Sequence, residues 1–130
     1  MLAVKEFQKQ STDKVPVIAE AVARAAAHWQ ITNMQAAALF DVPIATWNRI
    51  KAGQFRGVLD HDKTMRASLI IGIFKGLRLV FNGRLQNDWP RLPNKGNPYL
   101  GQSPLDYMIS GGIPAMMRVR MHIDALRGGM

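Results

Sequence analysis

The fold is decided by residues 33–51, which read NMQAAALFDVPIATWNRIK. Residues 34–40 are apolar and rich in alanine, and they follow Asn33, a typical N-cap residue, so we expect a short helix there. Asp41-Val42-Pro43 predicts a turn, and a second helix over residues 44–51 precedes a glycine, which suits a helix end. Two short helices around a tight turn predict a helix-turn-helix unit.

The spacing within this unit separates a buried side from an outward side. Ala37 is small where the helices would cross, and Phe40, Val42, Trp47 and Ile50 fall at buried positions. Asparagine can bond adenine and arginine can bond guanine, so the outward residues suit base recognition. The predicted DNA contacts are Ile44, Ala45, Thr46, Asn48 and Arg49 for bases, and Lys51 and Arg56 for phosphates.

Asp41 stands at the turn position where glycine is common. Aspartate tolerates the left-handed conformation, but it would place a negative charge near DNA. The alternative interpretation of residues 33–51 is a helical hairpin that only fills the core.

The remaining sequence predicts an all-α protein of several segments. We expect a flexible N-terminus over residues 1–14, a helix over 17–29 that opens at Pro16, and a helix-turn-helix domain over 15–58. A long helix over 63–81, capped by Asp60 or Asp62, is apolar on several faces, which predicts a central or dimer-forming position within segment 59–82. Residues 83–130 form the last segment: a Gly/Pro-rich loop, a short helix that opens at Ser103-Pro104 and ends at Gly111-Gly112, and a final helix over 113–126.

The positive charge lies in the middle of the chain. The net charge is +8, and residues 49–95 hold ten basic and three acidic residues, whereas residues 1–48 hold four of each. This placement suits a polyanion such as nucleic acid, although a solvated basic surface is the alternative. The longest apolar run, residues 69–74, is too short for a membrane, and no signal peptide or cysteine is present, so we expect a soluble, cytoplasmic protein.

No catalytic or metal-binding pattern appears, so we expect neither an enzyme nor a cofactor. His28, His61 and His122 are far apart and have no metal-ligand spacing. Asp60-His61-Asp62 is better explained by capping of the long helix than by chemistry. No phosphate-binding loop is present, and a Ser/His/Asp triad assembled only in space stays an open alternative.

Two blocks of residues resemble a known family, the Xre/MbcA/ParS antitoxins that partner RES-domain toxins. The first block is Leu59-Asp60-His61-Asp62 with Ser68-Leu69-Ile70-Ile71-Gly72-Ile73-Phe74-Lys75. The second is Trp89-Pro90-Arg91-Leu92-Pro93-Asn94, Gly101-Gln102-Ser103-Pro104-Leu105, Gly111-Gly112-Ile113-Pro114-Ala115, Val119-Arg120 and Arg127-Gly128-Gly129. The resemblance covers residues 33–130, and its C-terminal block is the more specific part.

The resemblance implies an Xre-type helix-turn-helix for operator binding, a homodimer, and a C-terminal domain that covers the active site of an NAD-degrading toxin. Aromatic residues, arginine and methionine are typical of binding surfaces, although the tryptophan and methionines are explained equally well as core. The predicted toxin contacts are Trp89, Arg91, Tyr99, Arg118, Arg120, Arg127, Gly128, Gly129 and Met130. A stand-alone helix-turn-helix transcriptional regulator without a toxin is the alternative function.

Overall fold

Every regular element in the part of the chain that the structure describes is helical. A computed structural model gives the backbone of residues 2–128 and the side chains of residues 14–128. The predicted all-α fold class is confirmed. The elements are α1 (Leu2–Trp29), α2 (Asn33–Phe40), α3 (Ile44–Lys51), α4 (His61–Val80), α5 (Leu85–Asp88), a 3₁₀ turn (Trp89–Arg91) and α6 (Pro104–Arg127).

Helix α1 begins much earlier than the sequence pattern predicted. We expected Pro16 to open it, but the helix starts at Leu2 and Pro16 lies inside it. Residues 2–14 contain no glycine or proline and are rich in good helix formers, so the helix extends toward the N-terminus despite the hydrogen bond that Pro16 cannot make. The flexibility predicted for residues 1–14 stays a prediction, because residue 1 and the side chains up to residue 13 lie outside the described part.

One continuous core joins the three segments that we expected to be functionally distinct. Trp29 of α1, Phe40 of α2, Trp47 of α3, Ile73 of α4 and Met116 of α6 all belong to a single cluster of buried side chains. The division into residues 15–58, 59–82 and 83–130 is therefore not a division of the core. It stays a prediction about function.

Helix α4 is the central element. It begins two residues before the predicted start, and Asp60 rather than Asp62 is its N-cap, with its Oδ1 accepting a hydrogen bond from the Lys63 N–H at 2.9 Å. Helices α1, α2, α5 and α6 of the same chain pack against it. These helices cover much of α4, while Leu79 (64% exposed) and Met65 (36% exposed) stay at its surface. The homodimer itself stays a prediction.

Helices α4 and α6 pack closely through two glycines that sequence reasoning did not single out. The Arg120 guanidinium occupies the space that a Cβ at Gly72 would need, and a Cβ at Gly76 would lie 2.6 Å from Ile123 Cγ2. Because the later glycine faces the later residue of α6, the two helices run in the same direction. The four-residue spacing of the glycines places both on one side of α4.

Helix α6 contains both helices predicted for the C-terminal region, joined at a bend. As predicted, Ser103 is the N-cap, and its Oγ accepts a hydrogen bond from the Asp106 N–H at 3.1 Å. Gly112 was expected to end the first helix, and its φ of 67° and ψ of −151° interrupt the helical backbone there. That region is essentially restricted to glycine. The chain resumes a helix immediately afterwards, so the predicted gap is a bend.

Candidate functional site

Helices α2 and α3 form the predicted helix-turn-helix. Thr32 rather than Asn33 caps α2, through a capping box in which its Oγ1 accepts from the Gln35 N–H at 3.0 Å and its own N–H donates to Gln35 Oε1 at 2.9 Å. Asp41 ends α2 with φ of 59° and ψ of 52°, the left-handed conformation predicted for it. Helix α2 is therefore capped by local chemistry at both of its ends.

Asn33 has a different task from the capping role that we expected. Its Oδ1 accepts hydrogen bonds from Trp47 Nε1 at 3.3 Å and from Lys51 Nζ at 3.1 Å. The side chain therefore ties the first residue of α2 to the middle and the C-terminal end of α3. Sequence reasoning missed this because it requires the two helices to be placed in space.

The outer face of α3 presents most of the predicted base-reading residues. Ile44, Ala45, Asn48 and Arg49 are exposed, whereas Thr46 is half-buried. The Arg49 guanidinium donates to Thr46 Oγ1 at 3.3 Å and so lies along the helix. Trp47 and Ile50 point the other way, into the core. The structure therefore brings the predicted base-reading set together on or beside one exposed face.

The two predicted phosphate contacts flank this face. Lys51 is exposed and reaches across to Asn33 at the start of α2. Arg56 follows α3 in an exposed loop, and its Nη1 donates to the carbonyl oxygens of Gly53 (3.2 Å) and Phe55 (3.1 Å). The two cations lie at the C-terminal end of α3 and in the loop after it, beyond the base-reading residues, which suits contacts with the phosphates of a DNA backbone.

Four charged residues join the helix-turn-helix to α4, and we call them the turn clamp: Asp41, Asp62, Lys63 and Arg66. Lys63 Nζ lies 2.9 Å from Asp62 Oδ2 and 3.6 Å from Asp41 Oδ2, and Arg66 Nε lies 3.0 Å from Asp62 Oδ2. Hydrogen bonds from Lys63 and Arg66 hold the pKa of the Asp62 carboxyl below its ordinary value, against the opposing effect of desolvation. Part of the basic middle block is thus used inside the protein.

Two of the predicted toxin contacts are core residues. Trp89 is 8% exposed and Tyr99 is 1% exposed. Their rings lie at 87° to each other with centroids 5.9 Å apart, and Tyr107 packs edge-on against Tyr99. These aromatic side chains are not available to a partner, so including them among the contacts was wrong. The alternative interpretation, that they stabilise a small helical region, agrees with the structure.

The predicted arginine contacts differ in their surroundings. Arg91 braces the fold, with its Nε donating to the Trp29 carbonyl oxygen at 2.7 Å and its Nη2 to Asp88 at 2.7 Å. Arg120 pairs with Asp124 at 3.2 Å and covers Gly72. Arg118 is exposed and donates to the Tyr107 hydroxyl at 3.2 Å, and Arg127 is exposed at the end of α6. Gly128 is the last described residue, and Gly129 and Met130 lie outside the described part.

The outer side of α6 carries exposed apolar side chains that are not among the predicted toxin contacts. Met117 is 49% exposed and Met121 is 67% exposed, and Pro114 is also exposed on the same side. Residues at these three- and four-residue spacings form one stripe along a helix. Arg118 borders the stripe. The surface is therefore apolar with a basic edge, and we call it the α6 face.

A buried hydrogen bond beneath the C-terminal region predicts a pH dependence of stability. Tyr99 Oη lies 2.7 Å from His122 Nδ1, and desolvation lowers the pKa of His122 while burial raises that of Tyr99. Because desolvation disfavours the charged imidazole, the folded chain favours the neutral form of His122 and gains stability while that group stays neutral. The stabilisation is present above the unfolded-state histidine pKa of about 6.5 and is lost as the pH falls below that value toward the lower folded-state pKa.

Urea unfolding of the wild-type chain and of His122→Gln between pH 8 and pH 5 measures this effect. We expect the difference in unfolding free energy between the two chains to shrink as the pH falls through 6. Tyr99→Phe keeps the ring but removes the hydroxyl, and serves as the matched variant. A difference that stays constant over this range would contradict the prediction.

The described residues carry no sign of a metal centre or of a membrane span. In this part of the chain, no three histidine, aspartate or glutamate side chains are grouped so as to hold a metal ion. Nor does any described helix combine the length and the apolar character needed to cross a bilayer.

Comparisons with known proteins place the chain in a family. The family model for the antitoxin Xre-like helix-turn-helix domain matches residues 8–72, which run from α1 into α4. An uncharacterized protein named y4oB, from Sinorhizobium fredii (strain NBRC 101917 / NGR234), is 36% identical over 121 residues, which cover 89% of this chain and 88% of that protein. Members of such a family are regulators rather than enzymes. The helix-turn-helix geometry and these matches together show that the chain belongs to the antitoxin Xre-like helix-turn-helix family.

Proposed function

We propose that this protein is the antitoxin of a type II toxin–antitoxin pair. It binds a RES-domain toxin in the cytoplasm, occludes the toxin's NAD-degrading active site, and represses its own operon through α3, as a homodimer. The proposed binding of a toxin rests on the α6 face, an exposed apolar surface with a basic edge. The proposed binding of operator DNA rests on the exposed outer face of α3.

The DNA half is supported by charge as well as by shape. Asn48 and Arg49 offer side chains that can bond base edges, while Lys51 and Arg56 flank them with positive charge. The buried side of α3, through Trp47 and Ile50, fixes the helix rigidly on the core. A rigid helix with polar residues on its outer side suits insertion into a major groove.

Replacing Arg49 with Ala should weaken binding to the operator by about 1–3 kcal/mol and leave binding to random DNA unchanged, because a base contact is lost. Lys51→Ala and Arg56→Ala should instead weaken binding to all sequences alike and flatten the salt dependence, because phosphate contacts are lost. Fluorescence anisotropy at several salt concentrations measures both quantities, with Arg78→Ala, an exposed position on α4, as the control. Equal affinity of the wild-type chain for operator and random DNA at physiological salt would disprove operator recognition.

The toxin half rests on the α6 face and on the C-terminal end. Methionines offer an adaptable apolar surface, and Arg118 and Arg127 add charges that can pair with acidic residues around a toxin's cleft. The segment from Arg127 onward carries two consecutive glycines, Gly128 and Gly129, and in this proposal it enters the toxin's active-site cleft. Trp89 and Tyr99 act in this proposal by holding α6 in place, not by touching the toxin.

A stand-alone transcriptional regulator is the second candidate function. The observation that favours it is the extent of the family match, which ends at residue 72 and so leaves α5 and most of the α4–α6 packing outside. Co-expression with the product of the neighbouring gene separates the two candidates. Co-purification with a RES-type protein supports the antitoxin, and a chain that represses transcription with no such neighbour supports the regulator.

A further inference from the structure

We propose that Arg66 is a positioning residue for the DNA-reading unit. Its guanidinium holds the turn between α2 and α3 and, with Lys63, balances the charge of Asp41, so that α3 can approach a polyanion. This inference rests on the proposed DNA binding. It concerns a residue that lies on α4, outside the helix-turn-helix itself.

The first support is the hydrogen-bond geometry of the guanidinium. Arg66 Nη1 donates to the Leu39 carbonyl oxygen at 3.1 Å, in the last turn of α2, and Nε donates to Asp62 Oδ2 at 3.0 Å. The side chain is only 13% exposed. A charged donor that satisfies a carbonyl at a helix end stabilises that end and fixes its position. Arg66 therefore fastens the C-terminal end of α2 to α4.

The second support is the charge at the turn. Asp41 adopts the left-handed conformation two residues before Pro43, the N-cap of α3, and its side chain is 65% exposed. An uncompensated carboxylate at this place would repel DNA phosphates. Lys63 Nζ at 3.6 Å and Arg66 Nη2 at 3.9 Å supply the opposing charges. The negative charge at this turn is therefore compensated from α4.

The third support is the position of α6 beside the Arg66 guanidinium. Arg66 Nη2 lies 3.6 Å from the point that a Cβ at Gly112 would occupy, so the bend of α6 passes directly beside the guanidinium. The group is thus held between the end of α2, its own helix and the bend of α6. Lysine cannot replace it, because a single ammonium lacks the planar fork that reaches Leu39 and Asp62 at the same time.

The test compares Arg66→Met and Arg66→Lys with Lys75→Met, a control at an exposed position on the same helix. In the free protein, the Asp41 and Val42 amides donate to carbonyl oxygens of Ala38 and Ala37, so hydrogen exchange reports directly on the turn. We expect about tenfold faster exchange of both amides and about tenfold weaker operator binding in Arg66→Met. The salt dependence of binding should change less than it does in Lys51→Ala, because Arg66 acts on the DNA only through the charge of Asp41 and contacts no phosphate.

Two further variants separate positioning from general destabilisation. Arg66→Lys keeps the charge and should fold normally, yet it should still show faster exchange at Val42. In the Arg66→Met background, Asp41→Asn removes the uncompensated charge and introduces a residue that tolerates the left-handed conformation. This second substitution should therefore recover part of the lost affinity for the operator. A merely structural role would not produce that recovery.

The outcomes distinguish this inference from the proposed function. Unchanged amide exchange and operator affinity in Arg66→Met would overturn the positioning role, and a salt dependence as flat as that of Lys51→Ala would overturn it in favour of a phosphate contact. If Asp41→Asn restores no operator affinity to Arg66→Met, the proposed compensation of the Asp41 charge is wrong. If the wild-type chain does not prefer its operator, the proposed DNA binding fails, and the exchange of the Asp41 and Val42 amides still decides whether Arg66 holds the turn.

Discussion

Cells that express the NAD-degrading toxin together with a chain lacking residues 127–130 should lose their NAD, whereas the full-length chain should protect it. The deletion removes the charge of Arg127 and the glycine-bearing end proposed to enter the toxin's active site. Among the residues that the structure describes, the deletion removes no core side chain, because the last buried side chain of α6 is Ile123. Circular dichroism of the variant alone should therefore match that of the full-length chain.

A companion variant separates binding from occlusion. Met117→Glu with Met121→Glu places two carboxylates on the α6 face, and a charge in the centre of an interface costs at least about 2 kcal/mol per position. This variant should lose the complex in co-purification, while the truncated chain should keep it and lose only inhibition. Arg120→Glu should weaken the complex less, because Arg120 is already paired with Asp124.

Met34→Glu is the matched control for these experiments. Met34 is 77% exposed and lies on α2, so this substitution adds one carboxylate of the same kind outside the α6 face. It should leave NAD levels high. If the truncated chain is folded and still keeps NAD high, the terminal segment is not the blocking element, and the occluding surface must lie elsewhere in the C-terminal region.

The second large effect concerns the packing of α4 on α6. Gly76→Val should destabilise the fold by about 3 kcal/mol, the upper end of the usual cost of overpacking a core. Its Cβ alone would lie 2.6 Å from Ile123 Cγ2, and Ile123 is β-branched and has essentially one side-chain rotamer in a helix. Chemical denaturation followed by circular dichroism measures the change.

Gly72→Ala is the matched substitution one helical turn earlier. Its Cβ would meet only the far end of the Arg120 side chain, which is 37% exposed and can move into solvent. Alanine is also favoured over glycine in a helix interior by up to about 1 kcal/mol. This variant should therefore stay within about 1 kcal/mol of the wild-type chain. Equal destabilisation of the two variants would mean that α4 and α6 do not pack as described.

Local chemistry explains why much of the helix-turn-helix could be predicted. Pro43 and Gly53 bracket α3, and the helix has the predicted bounds because both residues act on the backbone beside them. Asp41 takes the left-handed conformation for the same reason, since its own backbone amide completes the end of α2. The Ser103 cap follows the same rule. Two local signals misled: Thr32 makes the cap that we expected of Asn33, and the good helix formers of residues 2–14 extend α1 past Pro16.

The sequence by itself thus determined the helical class, the bounds of α3 and its outward face, and the family resemblance. Only the tertiary structure decided which polar and aromatic residues remain available to a partner. Arg66 reaches a carbonyl 27 positions away and Arg91 reaches one 62 positions away, while Trp89 and Tyr99 are buried by packing around α6. Burial of a side chain depends on packing against segments that are distant in sequence. The periodicity of the segment that carries the side chain gives no information about those distant segments.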